Sequence, residues 1–300
     1  MRLLIETLLS ATILFFGTLG TGFIPIVYMN KLIEKGNGEM KYLKYISDFG
    51  IGMLLGTSCL LVIPEGVERF AESGSGRGFG ISLLLGFLIL YGFDRFLHAL
   101  QTGSIALSWW DAAAEPVVIE SRRDFFNLTK TLPIILSNNI VFALVIHGFS
   151  DGLVLGVSQS YDSLKVVMLI AIVIHKIPAT LSLTGLMISK QRLPKPNVIV
   201  NLTAFSLSTP IGLIFVMCLK FISNDILEKF SDGLLVASGS SLLYASLLSL
   251  NASGDDHVPY EALEGDESGP EREKESLPDF KLLLLGVVVP LVISFFVPEG

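Results

Sequence analysis

His147 and Asp151 lie four residues apart in ALVIHGFSDGLVLGV, a stretch that is otherwise apolar, aromatic, glycine or serine. On a helix that spacing puts an imidazole and a carboxylate on one side, a single turn apart. The next apolar run, VVMLIAIVIHKIPATLSLTGLMI, carries His175 beside Lys176, with Pro178 two residues further on. Proline removes a backbone N–H, frees a carbonyl one turn back near Ile174 and bends the helix beside the polar pair. Two imidazoles and a carboxylate on neighbouring helices supply the nitrogen and oxygen donors that borderline divalent cations accept. The same residues also have a purely structural use. Asp151 would pair with Lys176, each histidine would bond a backbone carbonyl, and the cluster would pin two helices together.

The elements that must hold these residues are membrane helices. The chain has 300 residues, 51% of them hydrophobic and only 16% charged, and its mean hydropathy is +0.65. Soluble domains carry about 25% charged residues. The apolar residues fall into eight runs: Leu3–Met29, Tyr45–Ile63, Phe79–Leu97, Leu132–Val157, Leu164–Ile188, Val198–Leu219, Leu234–Leu250 and Phe280–Val297. Most reach the roughly 20 residues that cross a bilayer as helix. Hydrocarbon offers no partner to backbone N–H and C=O groups, so such runs must be helical. The expected fold is therefore all-α, a polytopic bundle of about eight transmembrane helices forming a single domain over residues 1–300. Intramembrane ionisable groups cost free energy, which favours a functional reading of the His/Asp cluster.

The first run is too long for a signal peptide and lacks a small-x-small site, so it is expected to remain as a helix. With the N-terminus outside, 14 of the 21 basic residues fall on inner loops and 6 on outer ones, Lys176 being the other. That bias puts both termini outside or in a lumen. Residues 98–131 then form a cytosolic, partly disordered loop, and residues 251–279 an acidic, disordered cytosolic loop. The second contains His257 in DDHVPYE, read as a solvated linker. Cys59 and Cys218 fall inside helices and imply no disulfide.

SDFGIGMLLGTSCLL (Ser47–Leu61) and SDGLLVASGSSLL (Ser231–Leu243) share a Ser-Asp start and a glycine–hydroxyl–leucine core. They lie on the second and seventh runs, which have opposite sense, as an inverted repeat around a central site requires. Glu65 in VIPEGVERF stands at an outer mouth where it could attract cations, with Glu68 solvated. Asp94 and Arg95 are expected to pair, and Ser58, Ser206 and Ser208 to bond carbonyls one turn back.

HGFSDG followed by HKIPAT resembles the fourth and fifth helices of the ZIP (ZRT/IRT-like) family of divalent metal transporters. HKIPA with VIPEGVE (Val62–Glu68) is most similar to the Golgi-associated branch of that family. The resemblance implies a ZIP-like bundle with inverted repeats flanking helices four and five, and metal ligands at His147, Asp151 and His175. Met53, eleven residues before Pro64, corresponds to a methionine that contributes in some members. Family ligands are missing at Gly148, Lys176, Ala179 with Thr180, and Thr209. These losses fall together on the second metal of the family's two-metal site, so Lys176 is expected to substitute for that charge and one ion site to remain. The implied activity is movement of Zn²⁺ or Mn²⁺ from the Golgi lumen or outside into the cytosol, with a plasma or other secretory-pathway membrane as the alternative location. The metal is substrate; no tightly bound cofactor, no enzymatic activity and no nucleic-acid partner are expected, while a homodimer is compatible. Two other functions use the same residues: an intramembrane zinc-dependent hydrolase with Lys176 as acid, and a transport-inactive receptor or scaffold.

Overall fold

The computed structural model describes residues 2–33, 39–73, 76–104, 119, 123–158, 162–220, 231–251 and 279–295. Among these, every regular element is helical: α1 (Arg2–Ile33), α2 (Glu39–Thr57), a five-residue π turn (Ser58–Val62), α3 (Ile63–Ser73), α4 (Gly76–Gln101), a 3₁₀ turn (Asp124–Phe126), α5 (Leu128–Leu136), α6 (Asn139–Ser158), α7 (Asp162–Ser189), α8 (Lys195–Lys220), α9 (Ser231–Asn251) and α10 (Phe280–Ser294). Among the described residues, seven spans are long and apolar enough to cross a membrane, with α2, the π turn and α3 forming one of them from Tyr45 to Ala71. The chain is a multi-pass membrane protein.

Three runs depart from the sequence expectation. The eighth, expected over Phe280–Val297, is helical over 15 residues, about 22 Å against a hydrocarbon core of about 30 Å. The fourth, expected over Leu132–Val157, is two helices. The chain leaves α5 at Ser137, and Asn138 starts α6 by accepting the Val141 N–H at 3.2 Å. Asn138 and Gln191 also exchange two hydrogen bonds, at 2.6 and 3.1 Å, which hold the break against the α7–α8 turn. The 98–131 loop is correspondingly shorter, since α4 reaches Gln101 and α5 begins at Leu128. The second run continues past Pro64 because the π turn absorbs the proline: the Ile63 N–H bonds Ser58 O, one residue further back than in an α-helix. The 251–279 loop, apart from its ends, lies outside the described residues, as does His257.

Helix pairings come in matched twos. The α2 helix packs on α10 and α9 on α4, α2 on α7 and α9 on α6, α1 on α7 and α8 on α6. Exchanging α1, α2 and α4 with α8, α9 and α10, and α6 with α7, carries each pairing into its mate. This is the contact pattern of an inverted repeat, with α6 and α7 at its centre, and it relates the two SD-containing segments. Glycine makes the tightest crossings possible. A Cβ at Gly152 would run into the Thr209 carbonyl oxygen of α8, and one at Gly212 into the Phe149 carbonyl of α6. Gly52 and Gly286 play the same part between α2 and α10. Small residues allow such backbone approach where hydrocarbon solvent gives helices no other reason to associate. Leu84, Leu85, Leu88 and Ile89 of α4 stay exposed, as a face turned to lipid requires.

Candidate metal site

The central helices carry the polar cluster, and the bundle closes over it. His147, Asp151, His175 and Lys176 are all buried, His147 with no exposed surface. One ligand atom from each of His147, Asp151 and His175 lies within 4.8 Å of the other two. His147 Nε2 is 3.4 Å from Asp151 Oδ2, and His175 Nε2 is 3.2 Å from the same oxygen. The imidazole centroids stand 5.9 Å apart. The i, i+4 spacing on α6 thus does what the sequence implied, and α7 brings the second ring to the shared carboxylate oxygen.

A fourth participant comes from α9. Ser238 Oγ donates to Asp151 Oδ1 at 2.7 Å. His147 Nδ1 lies 3.0 Å from the Ser238 carbonyl oxygen and 2.9 Å from its hydroxyl oxygen. The carbonyl can only accept, so Nδ1 carries the hydrogen and the Nε2 lone pair is left bare. Among the described residues that buried Nε2 has no hydrogen-bond partner. Sequence reading missed Ser238. The available signal was the serine density of ASGSSLLYASLLSL, which is high for a membrane helix.

Lys176 is adjacent but separate. Its Nζ sits 4.1 Å from the centroid of the Phe205 ring on α8 and has no hydrogen-bond partner among the described residues. The Asp151–Lys176 pairing of the purely structural reading is not formed as a hydrogen bond. Both carboxylate oxygens are engaged elsewhere, one by Ser238 and one by His175. The space over Gly148 is filled first by the Ser208 hydroxyl of α8, which a Cβ there would strike, and the ammonium stands beside it, 3.3 Å from that Cβ position, as does Thr209 Oγ1. Thr209 donates to the Gly148 carbonyl at 2.7 Å. Gly148 is thus flanked by Lys176 and Thr209, so three positions where family ligands are missing are neighbours.

Met53 is buried on α2. Gly50 meets Ser182 and Gly185 meets Ile46, so the antiparallel register brings Met53 level with Ala179, one turn from His175. Pro178 lies inside an α7 that runs unbroken from Asp162 to Ser189. On α3, Glu65 is not bare: Arg69 lies 3.7 Å from it and 3.9 Å from Asp232, and also contacts Met168 Sδ at 2.7 Å. Asp94 accepts from Asn139 at 2.7 Å, while Arg95 covers the Tyr91 ring at 5.1 Å, so the expected local pair is replaced by two separate contacts. Ser206 and Ser208 bond carbonyls on their own helix, but Ser58 crosses to the Gly239 carbonyl at 3.0 Å. The π turn has rotated it towards α9.

The family model described as "ZIP Zinc transporter" matches residues 4–122 and 128–294. The chain is 25% identical to "Zinc transporter ZIP9-A" of Xenopus laevis over 330 aligned positions covering 96% of each chain. It is 25% identical to "Zinc transporter ZIP9" of Micropogonias undulatus, over 86% of this chain and 89% of that one. "Zinc transporter 3" of Arabidopsis thaliana is also 25% identical, over 82% of this chain and 74% of its own.

Proposed function

Since the chain belongs to the ZIP zinc transporter family, we propose that it carries a divalent metal ion, zinc or manganese, across its membrane through one site formed by His147, Asp151 and His175. The observation that carries this reading is the convergence of two imidazole nitrogens and a carboxylate oxygen within 4.8 Å, buried at the centre of the bundle. An orphaned acceptor in hydrocarbon costs free energy that a cation would recover, and His147 Nε2 is one. Three protein ligands suit a site that must let go; closed structural zinc sites use four. Met53, buried on α2, is the candidate fourth ligand. The metal is cargo in this reading, with no resident cofactor.

Lys176 stands in for a second cation. Its position over Gly148 and Phe205 supports a single-ion site. With Asp151 ionised and Lys176 charged, their charges cancel before cargo arrives and a divalent ion leaves the pocket net positive, which favours release. Pro178 supplies flexibility on α7 beside the ligands. The basic-residue bias supports transport from a lumen or the outside into the cytosol. The likeness of VIPEGVE and HKIPAT to the Golgi-associated branch supports a Golgi membrane, to be checked by fluorescence co-localisation. A homodimer is the candidate assembly, checked by mass photometry in detergent.

The deciding experiment is uptake of Zn²⁺, Mn²⁺, Fe²⁺ and Cd²⁺ by purified protein in liposomes. Saturable uptake of zinc or manganese, lost in His147→Ala and His175→Ala, is expected. Near-normal uptake by either variant sinks the site, and no uptake of any metal favours a receptor or scaffold. A zinc hydrolase would need Lys176 as its acid, and the placement of that amine against Phe205 speaks for the carrier.

A further inference from the structure

We propose that Ser238 decides which metal this site prefers, by occupying one oxygen of Asp151 and fixing the tautomer of His147; the inference rests on the metal-carrier reading above. Ser238 lies on α9, outside the helices that provide the ligands, and is completely buried. Its hydroxyl has one hydrogen to give. Asp151 Oδ1, at 2.7 Å, takes that hydrogen, because an ionised carboxylate can only accept. The hydroxyl oxygen and the Ser238 carbonyl then both receive from His147 Nδ1–H, at 2.9 and 3.0 Å. Each hydrogen has one consistent place. A single residue thus touches both α6 ligands through the atoms that do not face the cluster.

For His147, Nε2 is left as a bare lone pair pointing at the shared centre. For Asp151, Oδ1 is withdrawn from coordination, and only Oδ2 faces the two Nε2 atoms at 3.4 and 3.2 Å. Once His175, whose Nε2–H donates to Oδ2 at 3.2 Å, carries that hydrogen on Nδ1 instead, the set offered to a cation is two nitrogens and one monodentate carboxylate oxygen. That is the compact nitrogen-rich set that zinc accepts at low coordination number. Larger or harder cations want more oxygens, calcium in particular through bidentate carboxylates, and manganese likewise favours oxygen ligands. Ser238 therefore biases the pocket towards zinc, and freeing Oδ1 would let Asp151 chelate through both oxygens and move preference towards manganese. Hydrogen-bond partners that orient metal ligands typically change metal affinity about 10- to 100-fold when removed.

Ser238→Ala and Ser238→Thr are to be reconstituted beside the unaltered protein and His147→Ala, with KM and maximal rate measured for Zn²⁺ and for Mn²⁺. In Ser238→Ala the zinc KM is expected to rise about tenfold and the zinc-to-manganese ratio of kcat/KM to fall, while maximal rates change little. Ser238→Thr keeps the hydroxyl and is expected to keep the ratio. A second readout is Co²⁺ bound to detergent-solubilised protein. Its visible absorption is expected to weaken in Ser238→Ala, as coordination number rises with a bidentate Asp151, and to persist in Ser238→Thr. A serine that merely packs α9 against α6 would lower melting temperature without moving the metal ratio or the Co²⁺ spectrum. If His147→Ala is inactive yet Ser238→Ala keeps both ratio and spectrum, the role given to Ser238 is wrong. If His147→Ala transports normally, the carrier site itself falls first.

Discussion

At His147 and Asp151 the α6 helix presents lone pairs to α7; at Gly148 it presents only backbone, and the Ser208 hydroxyl of α8 and an ammonium from α7 crowd the space. The two pockets are neighbours on the same pair of helices, yet one leaves the His147 Nε2 acceptor unpaired beside a carboxylate and the other holds a cation without an anionic hydrogen-bond partner. A lysine at mid-membrane costs about 3 kcal/mol on insertion scales, and a desolvated cation–π contact such as that with Phe205 returns about 2 kcal/mol. The nearby negative charge of Asp151 helps offset the rest. On the single-site proposal a side chain takes the place of a second cation, and its charge is expected to lower the affinity of the remaining site for its cargo.

The strongest way to break this contrast is to remove the acceptors. Asp151→Ala is expected to leave Lys176 uncompensated as well as to delete a ligand, so liposome zinc uptake should fall at least about a hundredfold, on the scale of a lost buried charge partner. Uptake within a few-fold of normal would mean that Asp151 neither binds the ion nor balances Lys176.

Converting one pocket into the other sharpens the comparison. Lys176→Glu should raise bound zinc per purified chain from one towards two, read by native mass spectrometry with two titratable sites. Lys176→Ala should tighten zinc binding about tenfold, as expected when a nearby like charge is removed in a medium of intermediate dielectric, and slow release in single-turnover efflux. Two ions bound to the unaltered protein would overturn the single-site reading.

The pockets also depend on how close α6 and α8 come. A Cβ at Gly152 would strike backbone atoms of Thr209 and Leu213, whereas one at Gly92 on α4 would meet nothing within 4 Å. Gly152→Ala should destabilise by about 1–3 kcal/mol, the usual cost of overpacking, and Gly92→Ala should be neutral. Equal melting temperatures for the two variants in detergent would contradict that crossing.

The smallest effect is expected where α3 meets the start of α9 and Arg69 lies against Glu65 and Asp232. Arg69→Gln should raise the initial rate of zinc uptake about two- to threefold at low salt, by unmasking the acidic groups, and the gain should vanish at high ionic strength. A salt-independent change would point to packing against Met168 instead.

How much of this was legible beforehand follows from the range of the forces involved. The i, i+4 pair on α6, the proline on α7 and the long apolar runs are local facts, because helix periodicity and backbone satisfaction involve residues within about one turn of each other. The break between α5 and α6 was also local, written in the Ser137-Asn138-Asn139 sequence, but the apolar run on either side concealed it. Even the inverted repeat left a trace, in the two Ser-Asp segments of the second and seventh runs.

What the sequence by itself determined, then, was an all-helical membrane chain carrying two histidines and an aspartate where ionisable groups are costly. Only the tertiary structure decided that Ser238 of α9 reaches both α6 ligands, that Lys176 rests on Phe205 rather than bonding Asp151, and that the π turn swings Ser58 across to Gly239. Those contacts join residues far apart in the chain. They are set by which helix faces meet, and that choice is made by packing at small residues such as Gly152 and Gly212, whose consequences no local periodicity encodes.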